Sequence, residues 1–453
     1  MAVTTVDAGD TTRLKAYPPR SAVISWIFFD WAAQPYFTLI TTFVYAPYFA
    51  THIASNPANG QALWGFATAA SGMMIALLSP VLGAIADATG RRKPWIAVFG
   101  AMLVIGSSLM WLGRPGDEAG IPALLVAYGL ATVGVEFATV FNNAMMPTLV
   151  PPDRIGRLSG TGWATGYIGG ILSLILVLGF LAANPDTGRT LFGLIPLFGL
   201  DPASHQGDRI SGPLTGIWFV VFVLPMFLLT PDYPARSRLR DALRMGLSEL
   251  RRTLAELPKH KSLAAFLLAN MIYTDGLVSL FAFGGIYAAG TFGWNTIQIG
   301  TFGIFLAIAG TFGGWLGGKL DDALGPKRVI AGSITILLVS TDSIFFISVT
   351  PPVPGGPLFA SAAERAYLIL GCCIGAVGAP LQAASRSLLI SMAPRDRVAQ
   401  YFGLFALTGK VTSFIGPLLI GIVTAITASQ KAGMATLVLF FVTGLALLAR
   451  VRE

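Results

Sequence analysis

The chain has 453 residues, of which 54% are hydrophobic and only 11% are charged. A soluble protein of this length carries about a quarter charged residues, so the composition excludes an ordinary water-soluble protein. The formal net charge of +8 would suit a nucleic-acid partner, but the positions of the basic residues follow membrane topology, and no nucleic acid is expected.

Apolar runs long enough to cross a lipid bilayer recur along the whole chain. About 18 or more apolar residues indicate a transmembrane helix, whereas the strands of a membrane barrel need about 10 alternating residues. The sequence therefore predicts an all-α integral membrane protein with twelve transmembrane helices in two pseudo-symmetric six-helix bundles. The predicted spans are 22–50, 61–86, 94–113, 121–148, 159–183, 213–230, 263–289, 297–318, 328–349, 363–392, 399–425 and 430–449.

The basic residues are distributed unequally between the two sides of the membrane. With the N-terminus inside, the predicted cytoplasmic segments hold 23 of the 30 lysines and arginines, and the outer loops hold five. An excess of basic residues marks the cytoplasmic side, so residues 1–21 and 450–453 are predicted to be cytoplasmic tails. The polar first 20 residues and the length of the first span argue against a cleavable signal peptide.

The longest cytoplasmic loop divides the predicted spans into six plus six. Residues 22–230 form the predicted N-terminal bundle, 231–262 a linker, and 263–449 the C-terminal bundle. Leucines in the linker recur at spacings of three and four, which predicts an amphipathic helix with an arginine-rich face. We expect this helix to lie along the inner membrane surface; a docking site for a regulatory partner is the alternative.

The two halves repeat each other in sequence. GAIADATGRRK at 83–93 matches GKLDDALGPKR at 318–328, and PPDRIGRLSGTGWATGY at 151–167 aligns with PRDRVAQYFGLFALTGK at 394–410. Repeated halves are typical of transporters with a substrate site near the membrane midplane. The predicted gate residues are Gly83, Asp87, Gly90, Arg91, Arg92, Gly318, Asp322, Gly325, Lys327 and Arg328.

The gate motif has a physical interpretation. Gly83 is expected to let two helices approach closely, and Arg91 and Arg92 to bridge at the inner surface, so that the cluster latches this side when the halves close. The element resembles the motif between spans two and three of major facilitator transporters. Pro326 occupies the first basic position of the second copy, which predicts a weaker latch there.

Four longer stretches resemble the vacuole-effluxer family named after the yeast autophagy-related (twenty-second) permease. They are FFDWAAQPYF at 28–37, VFNNAMMPTLV at 140–150 with LSGTGWATGYIGG at 158–170, YTDGLVSLF at 273–281, and QAASRSLLISMAPRDRVAQYFGLFALTGKVTSFIGPLL at 382–419. The chain departs from the family at Ala33, where members often carry asparagine. The resemblance implies a twelve-span major facilitator fold, usually monomeric, that exports small solutes across the bacterial cytoplasmic (inner) membrane.

Polar side chains inside the spans are the candidate binding residues. An ionisable group in a membrane-spanning helix costs about 2.5–3.5 kcal/mol and usually faces the bundle interior. The resemblance implies a central cavity lined by spans 1, 4, 7 and 10, and helical spacing predicts three polar stripes converging on it. The predicted substrate- or proton-binding residues are Asp30, Gln34, Glu136, Asn143, Asp275, Gln382, Arg386 and Lys410.

The charges in the predicted cavity suggest a substrate class. Asp30 lies about 15 Å from the inner surface, where it can take up a proton, bind a cationic group or pair with Arg386; a permanent ion pair that only fixes helix register is the alternative. Arg386 can hold a carboxylate while an acid holds an ammonium, which favours an amino acid or small peptide. A cationic compound would need only the acids, and Lys410 is either a cavity residue or a helix-packing partner.

Signatures of other function classes are missing from the sequence. There is no Gly-x-x-x-x-Gly-Lys-Ser/Thr loop and no Gly-x-Ser-x-Gly elbow, so neither ATP nor enzyme chemistry is indicated. His52, His205 and His260 are far apart in loops, so no metal or other cofactor is expected. The sequence predicts a proton-coupled secondary active transporter that works by rocker-switch alternating access. A multidrug or cationic-compound exporter and a non-transporting membrane receptor are the alternatives.

Overall fold

The computed structural model describes residues 17–88, 91–151, 154–232, 260–348, 358–392, 404–405 and 408–452. All regular secondary structure in these ranges is helical, which confirms the all-α prediction. The N-terminal tail before residue 17, the predicted amphipathic helix of the linker and Gly90 lie outside the described residues.

The helices are numbered in chain order. Before the linker they are α1 (Arg20–Pro35), α2 (Tyr45–Tyr48), α3 (Pro57–Ala88), α4 (Lys93–Leu109), α5 (Ile121–Asn143), α6 (Met146–Leu149), α7 (Ile155–Leu176), α8 (Gln206–Arg209) and α9 (Ser211–Leu229). After the linker they are α10 (Lys261–Phe292), α11 (Thr296–Leu324), α12 (Pro326–Ile344), α13 (Ala362–Met392), α14 (Ile415–Thr427) and α15 (Gln430–Ala449).

Ten helical stretches of the described residues are long and apolar enough to cross a membrane. The predicted first and ninth spans are helical but do not belong to these ten, so the count of twelve remains a prediction. In the first span, π-helical turns over Tyr36–Phe43 follow α1. The hydroxyls of Thr41 and Thr42 both donate to the carbonyl of Phe37, and such side-chain bonds compete with the regular backbone ladder.

The helices pack in two sets that correspond to the chain before and after the linker. In the first set α4 packs on α5, and α1 packs on α7 and α9; in the second, α11 and α12 pack on α13, and α10 packs on α15. The largest contact between the sets joins α3 to α14. Gly65 makes this crossing possible, because a Cβ there would lie 2.8 Å from the carbonyl oxygen of Pro417.

Hydrogen bonds join the two sets at the end that the charge pattern predicts to be outer. The amide of Gln61 donates to the hydroxyl of Thr424 at 2.8 Å and to the carbonyl of Gln430 at 3.1 Å. The amide of Gln430 donates back to the carbonyl of Pro57 at 3.2 Å. These side chains are buried, so the bonds hold the predicted outer ends of the helices together.

Candidate functional site

An ion pair between described residues links the two halves within the predicted membrane. The ammonium of Lys410, which precedes α14, contacts the carboxylate of Glu136 on α5. The Lys410 side chain is 41% exposed and that of Glu136 is 21% exposed. Glu136 is 15 residues along α5 from Ile121, which places the pair about 22 Å from the predicted outer end. Lys410 of the second half therefore pairs with Glu136 of the first half, an acid that the sequence predicts to line the cavity.

Asp30 and Gln34 face α7 of their own half. Asp30 is half-buried, and a side chain at Gly162 would collide with its carboxylate. One turn further along α7, Gly166 lies against the backbone of Asp30, and a Cβ at Gly170 would be 2.8 Å from the Gln34 side chain. Asp30 and Gln34 share one face of the first span, as helical spacing predicts, but glycines of α7 pack against this face.

The predicted pairing of Asp30 with Arg386 is absent among the described residues. Arg386 is exposed on α13, and its guanidinium donates to the carbonyl of Gln382 at 3.3 Å, within its own helix. Pairing with Arg386, one of three roles considered for Asp30, is therefore not seen in this conformation, and the roles of both residues in binding stay predictions. Asn143 is exposed one turn beyond Val140 on α5, whereas its neighbour Asn142 is fully buried.

Asp275 occupies a different environment from the other acids. It is 5% exposed on α10, and its Oδ2 accepts a hydrogen bond from the backbone N–H of Gly416 at 3.1 Å. Its Oδ1 is buried without a partner in the described part of the chain. Ser279, one helical turn further on, also has a buried hydroxyl without a partner there. The carboxylate is held by the start of α14 rather than by a basic side chain.

The gate motif contributes bonds within each half. In the first copy, Asp232 accepts from the backbone N–H groups of Arg92 and Lys93, at 2.9 and 3.1 Å, and Lys93 donates to the carbonyl of Phe227. This arrangement satisfies the free N–H groups at the start of α4. Asp232 was not recognised in the sequence, because it lies 140 residues from Arg92.

The second copy of the gate motif repeats part of this arrangement. Lys327 donates to the carbonyl of Val451 at 2.7 Å, and Gly325 adopts a φ of +85° between α11 and α12. Asp322 and Arg328 are exposed. Apart from its own helix, no described atom lies within 4 Å of a Cβ placed on Gly83 or Gly318. The close helix approach expected at Gly83 is thus not seen in this conformation and stays a prediction. The side chain of Asp87 lies outside the described residues.

A polar cavity of about 430 Å³ lies between the two halves at the predicted outer end. Its lining includes Tyr48, His52, His205, Asp208, Asn295 and Glu364. The rings of His52 and His205 are 3.9 Å apart between centroids, although their separation in sequence had argued against any histidine cluster. Tertiary structure brings the loop before α9 onto the end of the first span.

Asp208 connects the halves beside this cavity. Its Oδ2 pairs with Nδ1 of His205 at 2.8 Å, and its Oδ1 accepts from the hydroxyl of Thr296, the first residue of α11. A carboxylate at a helix N-terminus is favoured by the helix dipole. Asp208 was not recognised from the sequence, since an acid in a polar segment carries no signal of its own.

Glu364 is the second acid of the cavity that sequence reasoning missed. It is 2% exposed and accepts from the indole of Trp294 at 3.0 Å and from Gln298 at 3.3 Å. The backbone N–H groups of Ser361 and Glu364 exchange bonds with each other's side chains. The SAAE sequence is a capping box, which would have predicted the start of α13 but not the contacts with the tryptophan and glutamine.

Comparison with known proteins identifies the family. The family model described as vacuole effluxer Atg22 like matches residues 152–453. The chain belongs to this family. It is 25% identical over 434 residues to the uncharacterized MFS-type transporter YxiO of Bacillus subtilis (strain 168), covering 95% of this chain and 94% of that protein.

A fungal relative and two solved structures extend the comparison. Autophagy-related protein 22 of Cryptococcus neoformans (strain JEC21) is 25% identical over 308 residues, which is 65% of this vacuole-effluxer-family chain and half of the fungal protein. The D-xylose-proton symporter superimposes with a TM-score of 0.66 at 14% identity, over 96% of both chains. A bacterial homologue of the human lysosomal transporter Spinster gives 0.67 at 15% identity, over 97% of both chains.

These similarities establish the general class of the protein. The structural neighbours show the major facilitator fold, and the family and YxiO are transporters. The vacuole-effluxer-family chain is therefore a multi-pass membrane transporter of the major facilitator type and not an enzyme.

Proposed function

We propose that this transporter exports a small zwitterionic organic solute, an amino acid or small peptide, in exchange for protons. It resides in the bacterial cytoplasmic membrane and works as a monomer by rocker-switch alternating access. The observation that carries the substrate class is the ion pair between Glu136 and Lys410, which joins the two halves within the predicted membrane.

An ion pair of this kind suits a zwitterion. Both side chains are partly exposed, and in a membrane-spanning region such charges face a water-filled space rather than lipid. An ammonium can replace Lys410 at Glu136 while a carboxylate of the same molecule replaces Glu136 at Lys410. A solute that carries both groups compensates both charges at once, so opening the pair leaves neither charge without a partner.

Arg386 supports the same substrate class. Its guanidinium is exposed and makes no ion pair with a described acid, so it is available to a substrate carboxylate. A guanidinium binds a carboxylate through two parallel hydrogen bonds. Export is favoured by the effluxer description of the family, and proton coupling by the acids at positions 30, 136 and 275.

The test is substrate-dependent proton movement in proteoliposomes that contain a trapped pH dye. Pools of amino acids, dipeptides and organic cations are applied in turn to wild type, Glu136→Gln and Lys410→Met. We expect amino acids or dipeptides to change the internal pH in wild type, and each variant to lose most of this response. Asp342→Asn is the matched control, because this acid is exposed at the end of α12, away from Glu136 and Lys410.

Each alternative gives a different result in this assay. A response to organic cations that survives Lys410→Met would favour the efflux of cationic compounds, which needs acids alone. Substrate flux measured by radiolabel without any pH change would contradict proton coupling. Absence of flux for all three pools would contradict the proposed substrate class and favour a receptor.

A further inference from the structure

The eleventh predicted span is interrupted where it meets two acids from different halves. Residues 408–411 are helical, a turn follows, and regular helix resumes only at Ile415. In a continuous α-helix the N–H of Gly416 would bond to the carbonyl of Thr412; here it donates to Asp275 instead. Interrupted spans whose helix ends point at charged groups form ion and substrate sites in other transporters.

We propose that Asp275 is the site of the coupling proton, and that its protonation moves the segment between Lys410 and Gly416. This inference rests on the proposed proton coupling; it assigns the proton to Asp275 and the movement to residues 410–416. The two ends of the segment are held by different acids: Gly416 by Asp275 of the second half, and Lys410 by Glu136 of the first half. A change at one acid is therefore transmitted to the other through six residues of chain.

The surroundings of Asp275 favour a proton as its ligand. One carboxylate oxygen has no partner among the described residues, and neither does the hydroxyl of Ser279, which is completely buried one turn away. Both lie beside Gly416. In a buried site, an ionised carboxylate with an unpaired oxygen is strongly disfavoured. A proton on Oδ1 of Asp275 turns this oxygen into a hydrogen-bond donor, for which the hydroxyl of Ser279 is the acceptor.

A metal ion fits this site poorly. Hard metal cations take six or more oxygen ligands, and here the described residues offer two free oxygens. The described part of the chain also contains no group of three metal-ligating side chains. A proton needs only one of the two oxygens.

Among the described residues, no basic side chain pairs with Asp275, and Lys410, which precedes α14, pairs with Glu136 instead. Helix α14 contains no charged residue, and α15 has Lys431 in its first turn. On α13, Arg386 bonds within its own helix, and Glu364 bonds to Trp294 and Gln298 near the predicted outer end. The charged residues of α11 are confined to its last turns, and those of α3 to its end. The charge on Asp275 is thus compensated mainly by the N-terminus of α14.

Protonation on Oδ1 therefore weakens the interaction that holds the interruption open, because the neutral acid still accepts through Oδ2 but no longer carries a charge. Asp275 takes a proton from water in the cavity and loses its negative charge. A carboxylate at a helix N-terminus favours the bound arrangement by about fivefold to thirtyfold in population. The carbonyl of Thr412 now accepts from the N–H of Ile415 at 2.8 Å. Once the charge on Asp275 is lost, the N–H of Gly416 can take the place of this bond, which closes the interruption and displaces Lys410 from Glu136. Release of the proton reverses the step.

The experiment measures the interrupted span directly and needs no substrate. Nitroxides at Val411→Cys and Ile426→Cys, both exposed positions, report the distance across the interruption in the full-length protein after replacement of Cys372 and Cys373 by alanine. A continuous helix would place these 15 residues about 22 Å apart. We expect the distance distribution to change between pH 9 and pH 5, towards the continuous-helix value at low pH.

Three variants identify the titrating group. Asp275→Asn is expected to remain in the low-pH distribution at every pH, and Asp342→Asn to titrate like wild type. Ser279→Ala removes the acceptor for the proton and should lower the midpoint by about one pH unit, a tenfold loss of proton affinity. A structural role for Ser279 alone would not move the midpoint.

Two results would overturn the inference: a wild-type distribution that does not change with pH, or a titration that persists in Asp275→Asn. A failure of the proposed substrate–proton exchange can be distinguished from both of these results. If the proteoliposomes show no substrate-dependent pH change while the distance still titrates through Asp275, the proton site stands and the proposed exchange is wrong.

Discussion

Reversal of the ion pair between Glu136 and Lys410 tests whether it controls the separation of the halves. Glu136→Lys places two cations together, Lys410→Glu places two anions together, and the double variant restores opposite charges. Because the side chains are 21% and 41% exposed, the attraction is closer to that of a surface pair than of a buried one. Measured surface pairs contribute about 0.2–1 kcal/mol, so we expect a coupling energy near 1 kcal/mol.

This energy predicts a specific pattern of conformational populations. A change of about 1 kcal/mol alters the ratio of two conformations about fivefold. Each single reversal should therefore raise the population opened at the predicted outer end by about fivefold, and the double variant should return it towards wild type. The direction of this population change identifies which conformation the ion pair stabilises. In the structure the pair is formed while the outer ends are joined, so the single variants should open those ends more often.

The assay is pulsed electron–electron distance measurement in nanodiscs. Spin labels at Asn59→Cys and Lys431→Cys, both exposed near the predicted outer ends of α3 and α15, report opening. Raising the salt concentration should weaken the coupling, because the pair is partly exposed. If the effects of the two single reversals simply add in the double variant, within about 0.3 kcal/mol, the ion pair does not couple the halves and the reasoning is refuted.

Three further substitutions test other contacts of the structure. Asp208→Asn weakens the link to the N-terminus of α11 and should increase opening of the predicted outer end about fivefold. The same spin labels measure this opening, and unchanged distances would show that Asp208 does not hold the outer end closed. Gln61→Leu removes two hydrogen bonds between the halves and should shift the equilibrium between closed and open outer ends by about 1–3 kcal/mol towards the open form. A shift towards the closed form would show that these bonds do not hold the outer ends together. Gly162→Ala should displace Asp30 and reduce the substrate-dependent pH change. Gly160→Ala, on the same helix but with open space beside it, should leave that change intact. Equal responses of the two variants would show that Asp30 is not held by α7.

Several features of the site could be predicted from local sequence. Asp30, Glu136 and Asp275 were found because a carboxylate within an apolar run is costly and therefore conspicuous. The face shared by Asp30 and Gln34 follows from helical periodicity, and both do lie against one helix. The identity of that helix did not follow, since the glycine spacing of α7 specifies a close contact but not its partner.

The contacts that give these residues their roles depend on long-range packing. Lys410 and Glu136 are separated by 274 residues, and Asp275 and Gly416 by 141. A hydrophobic pattern records which face of a helix avoids lipid, but it contains no information on which distant residue that face meets. For Asp30 the sequence left three roles open, namely proton uptake, cation binding and pairing with Arg386, and it did not indicate that glycines of α7 would lie against this side chain.

The sequence by itself determined the membrane-spanning class, the helical fold and the family, because hydrophobic length and short repeated motifs are local properties of the chain. Only the tertiary structure decided that Lys410 pairs with Glu136, that His52 meets His205, and that span eleven is interrupted beside Asp275. The physical reason is that a buried charge or an unpaired backbone group must be compensated by whichever group packing brings nearest, and that group is set by the arrangement of all the helices together.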